Sequence, residues 1–272
     1  MGCIYGTVAI GFSLIFGVAK IVNFAHAGFV MWVMYGVFYF SHLGWMSPYV
    51  TGLISLPTFF ILGYVVQGSV MSKVSLMSED MQIVYTFGLL LVLTYMAQFF
   101  FGPDVLYLPA SGVSFEFWEI IIQKEILLAG ILGLVGAFCL HTFLSKTWIG
   151  KAIRASADNR RGAILTGLKV QHLSRITMGI SLAFAALAGS MMMTFTTLYP
   201  LRSLELAILA FLIVVLGGLQ NVFAAFLAGV VIGILEAVGT LLFSPTMAQL
   251  IIYIFVFFLL LFRPQGFARS GH

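Results

Sequence analysis

The fold class is decided by residues 222–243, which read VFAAFLAGVVIGILEAVGTLLF and contain a single charged residue, Glu236. A helix that crosses the hydrocarbon core of a bilayer needs about 20 consecutive apolar residues. A membrane-spanning strand would instead show about ten residues of alternating hydrophobicity, whereas this stretch is continuously apolar. It therefore predicts a transmembrane α-helix.

Eight further apolar runs of the same kind occur along the chain. They cover residues 2–19, 27–42, 48–72, 81–101, 125–144, 173–198, 206–219 and 247–262. Hydrophobic residues make up 61% of the 272 residues and charged residues only 8%, whereas a soluble domain carries about 25% charged residues. This composition excludes a water-soluble protein. The sequence predicts an all-α, polytopic transmembrane helix bundle of about eight or nine spans, with residues 1–272 forming a single domain in the lipid bilayer.

The basic residues are concentrated in one loop. Residues 146–175 contain seven of the thirteen Lys and Arg residues and one acidic residue. Because positively charged loops remain in the cytoplasm, the loop 146–172 is predicted to be cytoplasmic. The loop 102–124, with three acidic residues and one basic residue, is then extracytoplasmic. Membrane topology thus explains the net charge of +4, and no nucleic-acid partner is predicted.

Two short polar segments interrupt the apolar runs. One reads KIVNFAHAG over residues 20–28, and the other reads LGGLQN over residues 216–221. Irregular backbone at membrane depth occurs where protein or a water-filled cavity covers it, and Gly-interrupted helices in both halves of a transporter point to its binding path. The alternative is a pair of ordinary tight turns, in which the polar side chains only cap helix ends. The residues expected to line a translocation path are Asn23, His26, Gln220 and Asn221.

Glu236 is the one carboxylate well inside a predicted span, and we treat it as a possible intramembrane polar site. An ionisable residue at membrane depth is a functional candidate, and a hydrogen bond that holds two helices together is the alternative. The sequence shows no carboxylate pair or Ser-His-Asp set, and its five histidines are scattered. We therefore expect no catalytic residue, no metal and no cofactor in this chain. A self-contained channel or secondary transporter remains the alternative of a different class.

The basic loop contains small residues at helical spacing. This pattern is interrupted at Asp158-Asn159, where Asp158 is expected to cap a second short helix that ends at Gly167. Such a helix can fit a groove on a soluble partner, where arginines make charge-assisted contacts. A helix that lies on anionic lipid headgroups is the alternative.

Four groups of residues, in chain order, resemble one family. They read SLIFGVAKIVNFAH over 13–26; GKAIRA over 150–155 with NRR over 159–161 and TGLKV over 166–170; VLGGL over 215–219; and LFRPQG over 261–266. This set spans nearly the whole chain. It resembles the LivH-type permease, the membrane subunit of the branched-chain amino-acid ABC importers.

The resemblance implies a permease in the bacterial cytoplasmic (inner) membrane that passes a branched-chain amino acid. It also implies a second, LivM-like permease, two LivG/LivF-like ATPase subunits and a soluble extracytoplasmic substrate-binding protein. ATP and Mg would be bound by the ATPase subunits, since this chain has no Gly-x-x-x-x-Gly-Lys-Ser/Thr loop. The segment 150–167 matches the family's coupling helix, which seats in an ATPase. Its expected contact residues are Gly150, Lys151, Arg154, Ala155, Asn159, Arg160, Arg161 and Gly167.

The chain departs from the family pattern at two polar positions. Ala27-Gly28 stands where the family commonly has Gly-Glu, and Leu209 stands where a Lys is common. The expected path is therefore less charged than in the family. Urea, a short amide or another small organic solute remains the alternative cargo.

Overall fold

The computed structural model describes residues 1–109, 114–117 and 120–262. Two short antiparallel strands, β1 (Ser114–Phe117) and β2 (Ile120–Gln123), lie between α5 and α6. Helix α3 continues through a π-helical turn, Gln67–Met71, into α4. The helices are α1 (Gly2–Ala19), α2 (Ala25–His42), α3 (Pro48–Val66), α4 (Ser72–Val74), α5 (Glu79–Phe101), α6 (Lys124–Lys146), α7 (Trp148–Asp158), α8 (Arg160–Leu165), α9 (Val170–Met192), α10 (Arg202–Gly217), α11 (Val222–Leu242) and α12 (Pro245–Phe262).

The long helices coincide with the predicted apolar runs. Within the part of the chain that the structure describes, six helices are long and apolar enough to cross a membrane, namely α1, α3 with its continuation to Val74, α5, α6, α9 and α11. Helices α2, α10 and α12 occupy the other three runs. The predicted all-α polytopic bundle is confirmed. The hairpin of β1 and β2 is an addition within the loop 102–124, and residues 263–266 of the C-terminal motif lie outside the described residues.

Helix α1 lies at the centre of the bundle. Of its 18 residues, 83% are buried, whereas only 22% of the residues are buried in an apolar 18-residue stretch of α5 and of α6. Its main neighbours among the long helices are α6, α9, α10 and α11. Large apolar side chains such as Leu53, Phe99 and Phe138 are exposed on the outer helices, and together they form the kind of surface that lipid covers.

Helices α1 and α11 run antiparallel with their backbones in contact. A Cβ atom on Gly6 would lie 2.6 Å from the Phe226 ring, and Cβ atoms on Gly229 and Gly233 would collide with the backbone of α1. Small residues at helical spacing permit this close approach between membrane helices. The two helices therefore form a closely packed pair.

The two ends of the bundle carry different features. Helix α7 packs against α1, α6 and α9 at one end, and α8 packs there against α7 and α9; we call this the α7 end. The connection between α6 and α9 there covers residues 147–169, close to the predicted 146–172. At the opposite end, here called the far end, the backbones of Leu106 and Leu198 exchange hydrogen bonds of 2.7 and 2.8 Å.

Candidate functional site

The first polar break joins α1 to α2 through residues 20–24. Lys20 ends α1 in the left-handed conformation, with a φ of 55°. The carbonyl of Val22 accepts a hydrogen bond of 2.8 Å from the Thr86 hydroxyl of α5. A neighbouring helix thus satisfies irregular backbone that would otherwise be costly at membrane depth.

The side chains of Asn23 and His26 are both buried in the contact between α2 and α9. The amide nitrogen of Asn23 lies 3.9 Å from the Met178 sulfur, and Nδ1 of His26 lies 3.3 Å from the Ser181 hydroxyl oxygen. That hydroxyl also donates to the Gly11 carbonyl of α1 at 2.7 Å. The N-cap residue of α2 makes no side-chain hydrogen bond. Asn23 and His26 therefore connect α2 to its neighbours and do not cap its start.

Helix α2 begins inside the bundle. Ser181, which contacts His26, lies midway along α9 (Val170–Met192). The start of α2 is therefore level with the middle of a helix long enough to span a membrane. This is the discontinuous geometry expected for the first break.

The second polar break joins α10 to α11 through residues 218–221. Gly218 has a φ of 97°, a conformation that favours glycine. The carbonyl of Leu219 accepts a hydrogen bond of 3.2 Å from the Ser13 hydroxyl of α1. As at the first break, a hydroxyl from a neighbouring helix satisfies a backbone carbonyl.

The polar residues of the second break lie at the protein surface. Gln220 and Asn221 are exposed, and the Asn221 side-chain oxygen accepts a hydrogen bond of 3.0 Å from the Ala224 N–H. Asn221 is thus the N-cap of α11. The structure does not bring the four predicted path residues into one cavity, because Asn23 and His26 are buried.

Phenylalanine rings fill the space between the two breaks. The ring of Phe24, in the first break, lies 5.3 Å from that of Phe211 on α10 and 6.2 Å from that of Phe12 on α1. It also lies 6.1 Å from Phe87 on α5. In this conformation packed aromatic rings surround Phe24 of the first break. The periodic pattern of each helix gave no indication of this cluster, since its members come from four separate segments.

A charged cluster lies at the far end, where α1, α10 and α11 meet. Glu236, the predicted intramembrane polar site, accepts a hydrogen bond of 3.1 Å from the Tyr5 hydroxyl. Glu205 accepts hydrogen bonds of 3.0 Å from Arg202 and 2.6 Å from Tyr199. Sequence reasoning did not select Arg202 and Glu205 as site residues. The available indication was their opposite charge, three residues apart, at the start of an apolar run.

One face of α7 is fixed to the bundle. The Thr147 hydroxyl caps the helix by accepting a hydrogen bond of 3.0 Å from the Gly150 N–H. Gly150 is buried, and a Cβ atom there would collide with the Phe143 carbonyl of α6. Gly150 therefore positions α7 against α6 and does not itself face a partner.

The opposite face of α7 and α8 is exposed, and we call it the α7–α8 surface. Its side chains mix positive charge with large apolar groups, and Ile164 and Leu165 are 56% and 88% exposed. An exposed apolar patch beside polar residues is typical of a site that contacts another protein or a membrane. The members of this surface are Trp148, Lys151, Arg154, Ala155, Asn159, Arg160, Arg161, Ile164, Leu165 and Gly167.

Asn159, and not Asp158, caps α8. The Asn159 side-chain oxygen accepts a hydrogen bond of 2.8 Å from the Gly162 N–H. The prediction of Asp158 was wrong because α7 continues one residue further than the pattern suggested. Asp158 instead lies near Lys20, where its carboxylate opposes the lowering of the Lys20 pKa by burial. Gly167 follows α8 with a φ of 82°, as expected for a helix end.

Comparison with known proteins gives a consistent result over the whole chain. The family model described as "Branched-chain amino acid transport system / permease component" matches residues 1–261. The high-affinity branched-chain amino acid transport system permease protein BraD of Pseudomonas aeruginosa is 25% identical over 98% of this chain and 92% of its own length. The corresponding protein LivH of Escherichia coli K12 is 23% identical over 98% of this chain and 91% of its own length. No solved structure is significantly similar to the chain.

Proposed function

Because this chain belongs to the family of branched-chain amino acid transport system permease components, we propose that it forms the translocation path for an amino acid of the branched-chain class. The observation that carries the proposal is the family match over residues 1–261. Two relatives that align along nearly their whole length are named as branched-chain amino acid permeases. Members of this family are transport subunits, and the hydrolysis of ATP falls to partner subunits.

We place the α7 end of the bundle in the cytoplasm and the far end outside. The support is the concentration of Lys and Arg between residues 146 and 175, because basic loops remain in the cytoplasm. Lys20, which ends α1 beside α7, lies at the same end. The loop 102–124 then faces the exterior, where a binding protein would deliver the cargo.

The α7–α8 surface is the contact for an ATPase subunit. Guanidinium groups such as those of Arg160 and Arg161 form directed, charge-assisted hydrogen bonds with carboxylates, and both are exposed. Leu165 and Ile164 supply apolar groups that a groove can bury. Gly150 supports this surface from behind, since it holds α7 against α6.

The remaining subunits follow from the family resemblance. They are a second, LivM-like permease, two LivG/LivF-like ATPases that bind ATP and Mg, and a soluble extracytoplasmic substrate-binding protein. The complex belongs in the bacterial cytoplasmic (inner) membrane. This chain contributes one permease domain to it.

The path follows the two polar breaks. Asn23 and His26 supply neutral hydrogen-bonding groups at mid-bundle depth. Gln220 and Asn221 lie in the loop between α10 and α11, next to Leu219, whose carbonyl accepts a hydrogen bond from Ser13 of α1. The Phe24 ring packs between the breaks. Opening of the path requires that this ring separate from its neighbours. Cargo handed over by a binding protein needs only weak contacts there, which neutral groups provide.

One observation favours a second cargo. Ala27-Gly28 and Leu209 replace polar positions that are common in the family, so the path lacks two charges that could pair with an amino acid. Urea or a short amide, which carries no charge, would lose nothing from this change. Leucine and urea are therefore both needed in the test.

The test is uptake by the assembled importer. The complex is reconstituted in proteoliposomes with its binding protein and supplied with ATP and either radiolabelled leucine or urea. The proposal predicts leucine uptake. The double change Arg160→Glu and Arg161→Glu should abolish ATP hydrolysis stimulated by the binding protein, whereas Lys73→Glu, an exposed charge reversal at the same end, should preserve it. Uptake of urea without uptake of leucine would show that the cargo is urea. If the binding protein still stimulates ATP hydrolysis in the double variant, the assignment of the α7–α8 surface to the ATPase contact is overturned.

A further inference from the structure

The charged cluster at the far end surrounds a crevice between α1, α10, α11 and α12. Its walls include Tyr5, Arg202, Glu205, Glu236 and Tyr253, and we call it the far-end crevice. Side chains of both charges therefore face the same small space. Its free volume is about 20 Å³, which corresponds to about one water molecule. A larger ligand is admitted only when α10 and α12 separate.

Two hydrogen-bonding atoms in this crevice lack a partner among the residues that the structure describes. They are Nε of Arg202, which is a donor, and Oε2 of Glu236, which is an acceptor. The other atoms of these groups are engaged: Nη1 of Arg202 donates to Glu205, and Oε1 of Glu236 accepts from Tyr5. Buried polar groups without a partner are costly and rare in native structures. One free cationic donor and one free anionic acceptor together complement a molecule that carries a carboxylate and an ammonium group.

An apolar strip continues from the crevice along α1 and α10. Tyr5, Leu206 and Leu209 line both the crevice and the strip, and Val8 and Ile213 extend the strip along the two helices. The strip encloses no free volume in this conformation, so an apolar side chain attached to a ligand held in the crevice would lie along these residues only when α10 moves away from α1. A ligand that fits the crevice and the strip would therefore carry an apolar group in addition to its two charges.

We propose that the far-end crevice is a recognition site for the zwitterionic head of an apolar α-amino acid. The Arg202 guanidinium binds the carboxylate, Glu236 accepts hydrogen bonds from the ammonium group, and the side chain lies against Leu206 and Leu209. A neutral amide would bring no charge to Nε of Arg202 or to Oε2 of Glu236, so the site discriminates against it. This inference rests on the proposed function, because it takes the cargo to be an amino acid.

The experiment measures ligand binding to the full chain in lipid nanodiscs by saturation-transfer NMR. The ligands are L-leucine, 4-methylpentanoate, which lacks the ammonium group, and 3-methylbutylamine, which lacks the carboxylate. Arg202→Gln should weaken the binding of leucine and of 4-methylpentanoate by about tenfold or more and leave the binding of the amine unchanged. Glu236→Gln should weaken the binding of leucine and of the amine and leave the binding of 4-methylpentanoate unchanged. Lys169→Gln and Glu79→Gln remove exposed charges at the α7 end and should change none of the three.

This pattern separates recognition from a purely structural role. If the charged cluster only holds helices together, the substitutions will weaken the binding of all three ligands equally or of none. Either result overturns the proposal. Absence of leucine binding to the folded wild-type chain overturns it as well. If the two variants do not fold, photo-leucine cross-linking of the wild-type chain decides. Cross-links beside Arg202 on the four helices that line the crevice, α1, α10, α11 and α12, support the site, and cross-links confined to other helices refute it.

Failure of this site is distinguishable from failure of the permease assignment. Leucine uptake by the assembled importer, combined with unchanged leucine binding in both variants, would refute the crevice and keep the proposed function. Uptake of urea and not leucine would overturn the proposed cargo and the crevice together.

Discussion

Truncation of Leu165 gives the sharpest test of the α7–α8 surface. The side chain is 88% exposed at the end of α8, so Leu165→Ala should leave the thermal stability of this chain unchanged. If an ATPase groove buries it, the variant forfeits three buried carbon groups at about 0.8 kcal/mol each, or about 2 kcal/mol after scaling by the exposed fraction. A loss of that size raises the dissociation constant by about 30-fold.

The assay is the binding of purified ATPase subunits to the chain in nanodiscs, followed by biolayer interferometry. Leu76 is the matched control, because it is 83% exposed in the turn between α4 and α5 at the same end of the bundle. Leu76→Ala should change the dissociation constant by no more than about twofold. If α8 lies on lipid headgroups, Leu165→Ala will leave the ATPase affinity unchanged. A loss smaller than about threefold, or an equal loss for both variants, refutes the reasoning.

Three further outcomes follow from the geometry. A cysteine introduced by Ser114→Cys, on the exposed residue that opens β1, should react with an impermeant maleimide in intact cells, and protection would reverse the orientation of the chain. Asn23→Ala and His26→Ala should lower leucine uptake per assembled complex at normal assembly; a loss of assembly alone would remove both from the path. Asn221→Ala should destabilise the chain by about 1 kcal/mol through loss of its helix cap, as measured by thermal unfolding, whereas Gln220→Ala should not; equal effects would contradict the capping role.

The positions of the helices are predictable because each spanning segment carries its own local pattern, a run of about 20 apolar residues. The run 48–72 illustrates this, since α3, its π-helical turn and α4 fill it and continue to Val74. The hairpin of β1 and β2 is not predictable in this way. Each strand has four residues, too few to show a period, and its formation depends on pairing with the other strand.

The candidate site is only partly encoded by local sequence. The polar breaks at residues 20–24 and 218–221 contrast with their apolar surroundings, so their positions follow from the chain itself. Their partners do not. Tyr5 and Glu236 are 231 positions apart and Ser13 and Leu219 are 206 apart, and these contacts arise from the packing of α1 against α10 and α11. A single sequence contains no periodic pattern that reports such a pairing.

In each broken segment, one backbone carbonyl accepts a hydrogen bond from a side chain of a neighbouring helix. Thr86 donates to the carbonyl of Val22, and Ser13 donates to the carbonyl of Leu219. A neutral hydrogen bond contributes about 1 kcal/mol net, and neither bond involves a charge that would be costly to expose within the membrane. Breaking these two hydrogen bonds therefore needs little free energy, whereas movement of the first break must also separate Phe24 from the rings around it.

The rest of α1 is held far more firmly. Its contact with α11 brings the backbones of Gly6 and Gly229 together without side chains between them, so the two helices cannot slide past each other without separating first. Helix α7 packs against α1, and the carboxylate of Asp158 on α7 interacts electrostatically with Lys20, the first residue of the first break. A displacement of α7 would therefore reach the first break through α1.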